Sequence, residues 1–292
     1  MHVYASVPDA FEYCFTSKTF SFIHLEEHPL SELFFPSDVY TVFYSDSAPF
    51  KLLIHNHAYW VKPDSLLIIK PFEYAHPLPC ETETVTGFLL FVHPNYLTNL
   101  LQYYENWNSC FLSDTKDFIH VRIPQAVTVV AFEHLFAHLH ASPGFGSNLF
   151  AHHACLEFLL SLCQSFEPSR TESIPSDQLY VDYSVSGLSF KELLSFIDAN
   201  FTKELTLSYF SKALFISDSY LCRTFKAYTG ITINHYINAR RISLSQNYMA
   251  KGCNISQALS QCGFREYSTF LKSFKKHAGC TPTEFILRNQ LL

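Results

Sequence analysis

Hydrophobic positions change their period once along the chain, and that change divides it. Between residue 19 and about residue 122 apolar residues come in short runs (TFSFIHL, VYTVFY, KLLI, SLLIIK, VTGFLLFV, FIHVRI) rich in β-branched and aromatic side chains. Turn-forming clusters, Ser45-Asp46-Ser47-Ala48-Pro49 and Lys62-Pro63-Asp64-Ser65, punctuate them. Many short β-rich segments with such punctuation predict a small barrel or jelly roll. From Pro124 the period becomes helical. Residues 126–140 and 149–166 read as two helices flanking a Pro143-Gly144-Phe145-Gly146 loop. In the second, Leu149, Leu156 and Cys163 recur every seven residues, as do His152 and Leu159. Such a stripe fits packing onto the chain's own barrel or a seam between two copies. Read as a seam, it would run through Leu149, His152, Leu156, Leu159 and Cys163.

Residues 167–186 carry two prolines, many Ser and Asp and no sustained period, and read as a flexible linker. After it nearly everything is helical. Phe190, Leu193, Leu194 and Ile197 sit at i, i+3, i+4 and i+7 and bury one face of a helix. Helices are also predicted over Ser208–Leu214, Ser217–Tyr228, Asn234–Met249, Ile255–Cys262 and Glu266–His277, with a last turn from Pro282. The fold class is therefore α+β. A barrel with flanking helices (1–166) precedes an all-α domain (187–292).

The all-α part repeats itself. YLCRTFKAYTG (Tyr220 to Gly230) aligns with TFLKSFKKHAG (Thr269 to Gly279) at an offset of 49, and Leu207 with Ile255 at 48. The turn of the second copy is thus one residue longer. Each copy reads as helix, tight turn, second helix, the geometry that places a recognition helix in a major groove. In the first copy Leu221, Phe225 and Tyr228 form the inward stripe, which leaves Ser217, Asp218, Ser219, Cys222, Arg223 and Lys226 outside. In the second, Phe270, Phe274 and His277 turn inward and Arg265, Glu266, Thr269, Lys272, Lys275 and Lys276 face out. Arg and Lys read guanine edges or hold phosphates, whereas Ser, Thr and Asp cap helices or touch bases. Arg240 of the connecting helix joins this DNA-facing set as an expectation.

Charge sharpens the division. The net charge of −6 hides a C-terminal part with 8 Lys and 5 Arg against 6 acidic residues from position 187, a net of +7. The first 186 residues carry a net of −13. A basic half joined to an acidic one implies two jobs, with a polyanion as partner of the basic half. Nine scattered cysteines without any C-x-x-C spacing fit reduced thiols in a cytoplasmic protein better than disulfides or zinc. No apolar run is long enough to span a membrane, and the N-terminus lacks the pattern of a signal peptide.

Residues 188–287 resemble the DNA-binding domain of the AraC/XylS family of bacterial transcription regulators. The resemblance rests on S-x-x-Y-L-x-R-x-F-K (Ser217 to Lys226), on A-R-R-I in the connecting helix, and on the long motif from Cys262 to Phe285. Four positions depart from the family pattern: Phe215 for a turn Gly, Ile233 for Pro, and Leu259 and Ser245 for small Ala. Arg241 matches the family's connecting-helix arginine, and it shares a face with Ile237 and Leu244. A structural tie or a phosphate contact is therefore its expected role.

Less specifically, Tyr59 to His76 is similar to a hairpin of the family's cupin-like sensor domain. The resemblance implies a small-molecule effector inside the barrel, dimerisation through the helices after it, and activation of transcription at promoter DNA with RNA polymerase as partner. His55, His57, Tyr59 and His76 are the candidate effector residues. His55-x-His57 and His76 also suggest the rival reading, a cupin metalloenzyme fused to a DNA-binding tail. No Glu follows His57 at the spacing a metal-binding cupin uses, so neither a metal, a cofactor nor a catalytic residue is expected.

Overall fold

The computed structural model describes residues 4, 6–33, 35–101, 121–122, 124, 126–140, 144–165, 184–185, 188–203 and 207–290. They form two compact units. The first contains Met1–Pro49, Val61–Lys70 and Thr82–Leu179; the second contains Phe50–Trp60, Pro71–Glu81 and Tyr180–Leu292. Antiparallel sheets followed by helices, the α+β class read above, is the observed order. A division drawn along the chain at residue 167 does not follow these units. Two stretches of the N-terminal half are built into the same unit as the C-terminal helices. Residues 167–183 of the expected linker lie outside the described residues.

In the first unit, helix α1 (Val7–Ser17) leads into strand β1 (Phe20–Pro29), followed by β2 (Tyr40–Ser45), β5 (Ser65–Ile69), β7 (Thr84–Val92) and β8 (Val121–Arg122). They make one antiparallel sheet in the order β1-β7-β2-β5-β8, with Val92 opposite both Phe20 and Tyr40. The helix before β1 escaped the sequence reading. Ser6 caps it by accepting from the Asp9 amide, and it buries Val7, Ala10 and Cys14. Helix α2 (Pro94–Leu101) follows β7, and α3 (Ala126–His140) and α4 (Ser147–Ser165) come later. The core lies between one sheet face and these last two helices: Phe22, Val42 and Leu90 meet Leu135, Phe158 and Leu162.

That packing decides the seven-residue stripe of α4. Leu159 is wholly buried, Leu156 and Cys163 are half-buried, and His152 receives the Tyr96 hydroxyl or donates to it at 3.0 Å while edge-on to Phe20. The stripe is the face with which the unit packs on itself. Under three heptads, the spacing of a dimer seam and that of a helix on its own core are the same. Of the five residues only Leu149, 74% exposed, points outward.

The second unit joins a three-stranded sheet to helices. Strands β3 (Phe50–Ile54), β4 (His57–Val61) and β6 (Ala75–Leu78) pair in the order β4-β3-β6, with Leu53 opposite His76 and Lys51 opposite Leu78. After the two-residue strands β9 (Ser184–Val185) and β10 (Leu188–Ser189) come α5 (Phe190–Asn200), α6 (Leu207–Leu214), α7 (Asp218–Thr229), α8 (Ile233–Ala250), α9 (Ile255–Gln261), α10 (Tyr267–Ala278) and α11 (Pro282–Gln290). Leu53, Ala58 and Leu78 of the sheet share one core with Phe190, Leu221 and Phe225 of the helices. A second core holds Ile242, Cys262, Phe270, Phe274 and Phe285.

The two turns that precede α7 and α10 are matched at their left-handed residue. Gly263 has φ 82° and Phe215, its equivalent at an offset of 48, has φ 55°. A Cβ on Gly263 would lie 2.3 Å from the Thr202 carbonyl oxygen, so glycine is required there. Phe215 is 95% exposed and gains no burial for its strained backbone. A left-handed non-glycine residue costs about 1 kcal/mol or more. Phe215→Gly is expected to raise stability by about 0.5–1 kcal/mol, once the extra freedom of glycine in the unfolded chain is deducted. Gly263→Ala is expected to lower it by a few kcal/mol, as overpacking against backbone does. Chemical denaturation of both variants checks the pair, and equal shifts would refute it.

Candidate nucleic-acid interface

Local chemistry defines both recognition helices. Ser217 caps α7 by accepting from the Tyr220 amide at 3.3 Å, and the helix ends at Gly230 with φ 75°. The second, α10, has the same twelve-residue length and ends at Gly279 with φ 72°. The helices before and after α10 are closed by reciprocal caps, Asn254 with Gln257 and Thr281 with Glu284. Backbone hydrogen bonds from Thr281 hold the Glu284 carboxyl below its usual range. Leu221 and Phe225 in α7, and Phe270 and Phe274 in α10, are buried at matching positions. Thr229, not Tyr228, completes the buried stripe of α7, and Tyr228 and His277 are only half-buried.

The outward faces largely follow from these. Ser217, Asp218, Ser219, Arg223 and Lys226 are exposed on the first copy, and Arg265, Glu266, Thr269, Lys272, Lys275 and Lys276 on the second. Cys222 is half-buried at the edge of the core, so it contributes little to the surface. The Arg223 guanidinium lies 5.7 Å from the centre of the Tyr220 ring, a contact that pre-orients it. Tyr267, 51% exposed at the start of α10, was missed, because its position in the first turn sits outside the buried period.

Arg240 has to be removed from this set. It is 7% exposed, it donates to Asp198 of α5 and to the Tyr236 hydroxyl, and its guanidinium packs over Phe201 at 5.2 Å. A buried charge needs such a partner, and these contacts leave the guanidinium no face toward solvent. Arg241 is a structural tie: its Nε donates to the Phe201 carbonyl at 2.7 Å and its Nη2 to the Lys203 carbonyl at 2.9 Å.

The four candidate effector residues do not share one strand face. His55 lies in the two-residue turn between β3 and β4 with φ 51°, so alternation along a strand does not relate it to His57. Its carbonyl accepts from the Tyr236 hydroxyl of α8, and its ring is 3.8 Å from Glu73. His76 donates from Nε2 to the Thr229 carbonyl at the end of α7, at 3.2 Å. Tyr59 is buried and its ring is 6.1 Å from that of His57. Among the described residues no group of three or more His, Cys, Asp or Glu is gathered as metal ligands. No described helix is long and apolar enough to cross a membrane.

A family described as a helix-turn-helix domain matches residues 210–288. Over 106 residues the chain is 32% identical to an uncharacterized response regulatory protein of Staphylococcus epidermidis, and 30% identical to the transcriptional regulatory protein HptR of Staphylococcus aureus. Each match covers 36% of this chain and 40% of the relative, so the chain spans well under two thirds of those proteins. Among solved structures, ToxT of Vibrio cholerae is similar over 94% of this chain and 96% of its own, at 16% identity and a TM-score of 0.36.

The rings of His235 in α8 and His277 in α10 meet edge-to-face at 4.7 Å beside Lys276. Burial lowers the His235 pKa, and burial, His235 and Lys276 together push that of His277 down to about 4. Burial does the same to His93 in the first unit, again to about 4. A histidine whose folded pKa lies below its unfolded value near 6.5 contributes stability that is complete above that value and is lost as pH falls toward 4. The melting temperature is therefore expected to be flat from pH 8 to about 6.5 and to fall between pH 6.5 and 4. His277→Phe should remove part of that fall. Thermal melts across this range check it, and an unchanged slope in the variant would refute the assignment.

Proposed function

We propose that the C-terminal region is an AraC/XylS-type helix-turn-helix domain and that this chain is a sequence-specific regulator of transcription that binds promoter DNA. The observation that carries the reading is the pair of matched twelve-residue recognition helices, each ended by a left-handed glycine, each with an exposed polar and basic face. The 18 residues of α8 span roughly 27 Å and contain neither Gly nor Pro, a strut on the scale of two successive major grooves about 34 Å apart. Charge differs between the copies. The named exposed residues of α10 and its turn include four cations and one acid, and those of α7 two cations and one acid. Both copies read bases, and the second, with more cations, also carries more of the contact to the phosphate backbone.

The finer reading is an activator that works with RNA polymerase in the cytoplasm as a homodimer and answers to a small molecule held by the N-terminal half. His55, His57, Tyr59 and His76 are the candidates for that ligand, and of these the His55 carbonyl and the His76 ring also engage helices of the second unit. A thermal-shift screen of metabolites tests for it, because a ligand that binds only the folded state raises the melting temperature. The dimer would form on the apolar residues that α3 and α4 leave outside, Val127, Val130, Leu149 and Phe150, each 48% exposed or more. Leu149→Glu is then expected to shift the protein toward monomer in sedimentation equilibrium, and an unchanged mass would exclude this surface.

DNA binding by the whole chain is expected to weaken steeply with salt, because cations on DNA release counterions. Arg223→Ala should cost about 1–3 kcal/mol on a selected duplex and relax base preference in one groove. Lys276→Ala should weaken selected and random duplexes alike. Competition gel shifts separate the two roles. An equal loss on both duplexes for Arg223→Ala would refute its base-reading role, and binding that ignores salt would refute the function itself.

A further inference from the structure

The segment Phe72–Leu78 lays every second residue on the helices of its own unit. The Phe72 ring meets Phe285 of α11 at 6.1 Å, and the Phe72 carbonyl accepts from Ser243 in the middle of α8. Tyr74 packs edge-on to Tyr236 near the start of α8, at 5.7 Å. His76 donates to the Thr229 carbonyl where α7 ends, and Leu78 enters the core around Leu221 and Phe225. One run of chain thus reaches from the second recognition unit, through Phe285 against Phe274, to the first.

Two features make this a built device and not a casual contact. Tyr236 and Ser243 are seven residues apart, two turns of α8 on one face, about 10 Å along its axis. Both donate to backbone carbonyls of the sheet segments, those of His55 and Phe72. Each of those acceptors sits in the left-handed region, at φ 51° and φ 64°, which side-chain-bearing residues adopt only where the surroundings compel it. Strained backbone is aimed at the connecting helix from two places, the turn at His55 and the start of the segment at Phe72.

We propose that the three-stranded sheet is a third component of the DNA reader: it clamps α8 and the ends of both recognition units, and so fixes the separation at which two half-boxes are read. The inference rests on the two-helix reading of DNA given above. Ser243 on α8, Phe72 in the turn before β6 and His76 in β6 are positioning residues, and none belongs to the exposed basic faces.

The test uses the full chain and duplexes recovered by selection from random-sequence DNA. In the unaltered protein, one inserted base pair between the half-boxes is expected to cost about tenfold or more in affinity, the scale of one wrong base pair. In the double variant Phe72→Ala/Ser243→Ala that penalty should shrink to roughly twofold, while affinity for a single half-box stays within about twofold. Ser243→Ala alone, which removes one hydroxyl, is the milder variant and should show a partial flattening. It decides the question if the double variant melts early. A spacing profile that stays as steep in a folded variant would overturn the proposal. Failure of the full chain to select any sequence would overturn the two-helix reading instead, so the two failures are distinct.

Discussion

A buried helix face that carries polar groups has to find partners for them, and α8 is such a face. Tyr236, Arg240, Ser243, Ser245 and Gln246 all lie inside the unit. An unpartnered buried donor costs about 1–3 kcal/mol, which is comparable with a sizeable part of a domain's net stability. Asp198 and the hydroxyl of Tyr236 take Arg240, and the carbonyl of Ile242 takes Ser245. The carbonyls of His55 and Phe72 take the remaining hydroxyls. Two of these partners come from far upstream in the chain. The helical unit is therefore completed by strands that sequence order assigns to the other half, and its boundaries follow from hydrogen-bond satisfaction as much as from apolar burial.

The double helix-turn-helix was legible because its signals are local and repeated. Leu221 and Phe225, and Phe270 and Phe274, stand at i and i+4 on helices that end in a glycine, and an offset of 49 superposes them. The strands β1, β2, β3, β5 and β7 were legible for the same reason. What escaped depends on distance in the chain. Nothing near Arg240 announces that Asp198, 42 residues upstream, takes its charge. His55 and His57 look like neighbours on a strand until the turn at 55–56 is seen. Leu159 and Cys163 fit a seam or a core equally until the sheet that covers them is known.

The repeat also shows how two copies of one device diverge under different constraints. Gly263 is held by the backbone of Thr202, which admits no side chain, whereas the equivalent Phe215 faces open solvent and tolerates a strained aromatic. The recognition helices diverge in charge in the same manner. The positions that keep their character are those buried against the two cores, and the ones that vary face outward.

Strands β3, β4 and β6 are synthesised long before α5 to α8, whose residues complete their core. At ribosomal rates of about 5–20 residues per second, the interval between residue 81 and residue 237 lasts roughly 8–30 s. For that time Leu53, Ala58 and Leu78 have no helices to cover them, while the flanking strands of the first unit are already able to pair. The nascent chain thus holds an open apolar sheet face in waiting, the kind of transient surface on which misassembly begins.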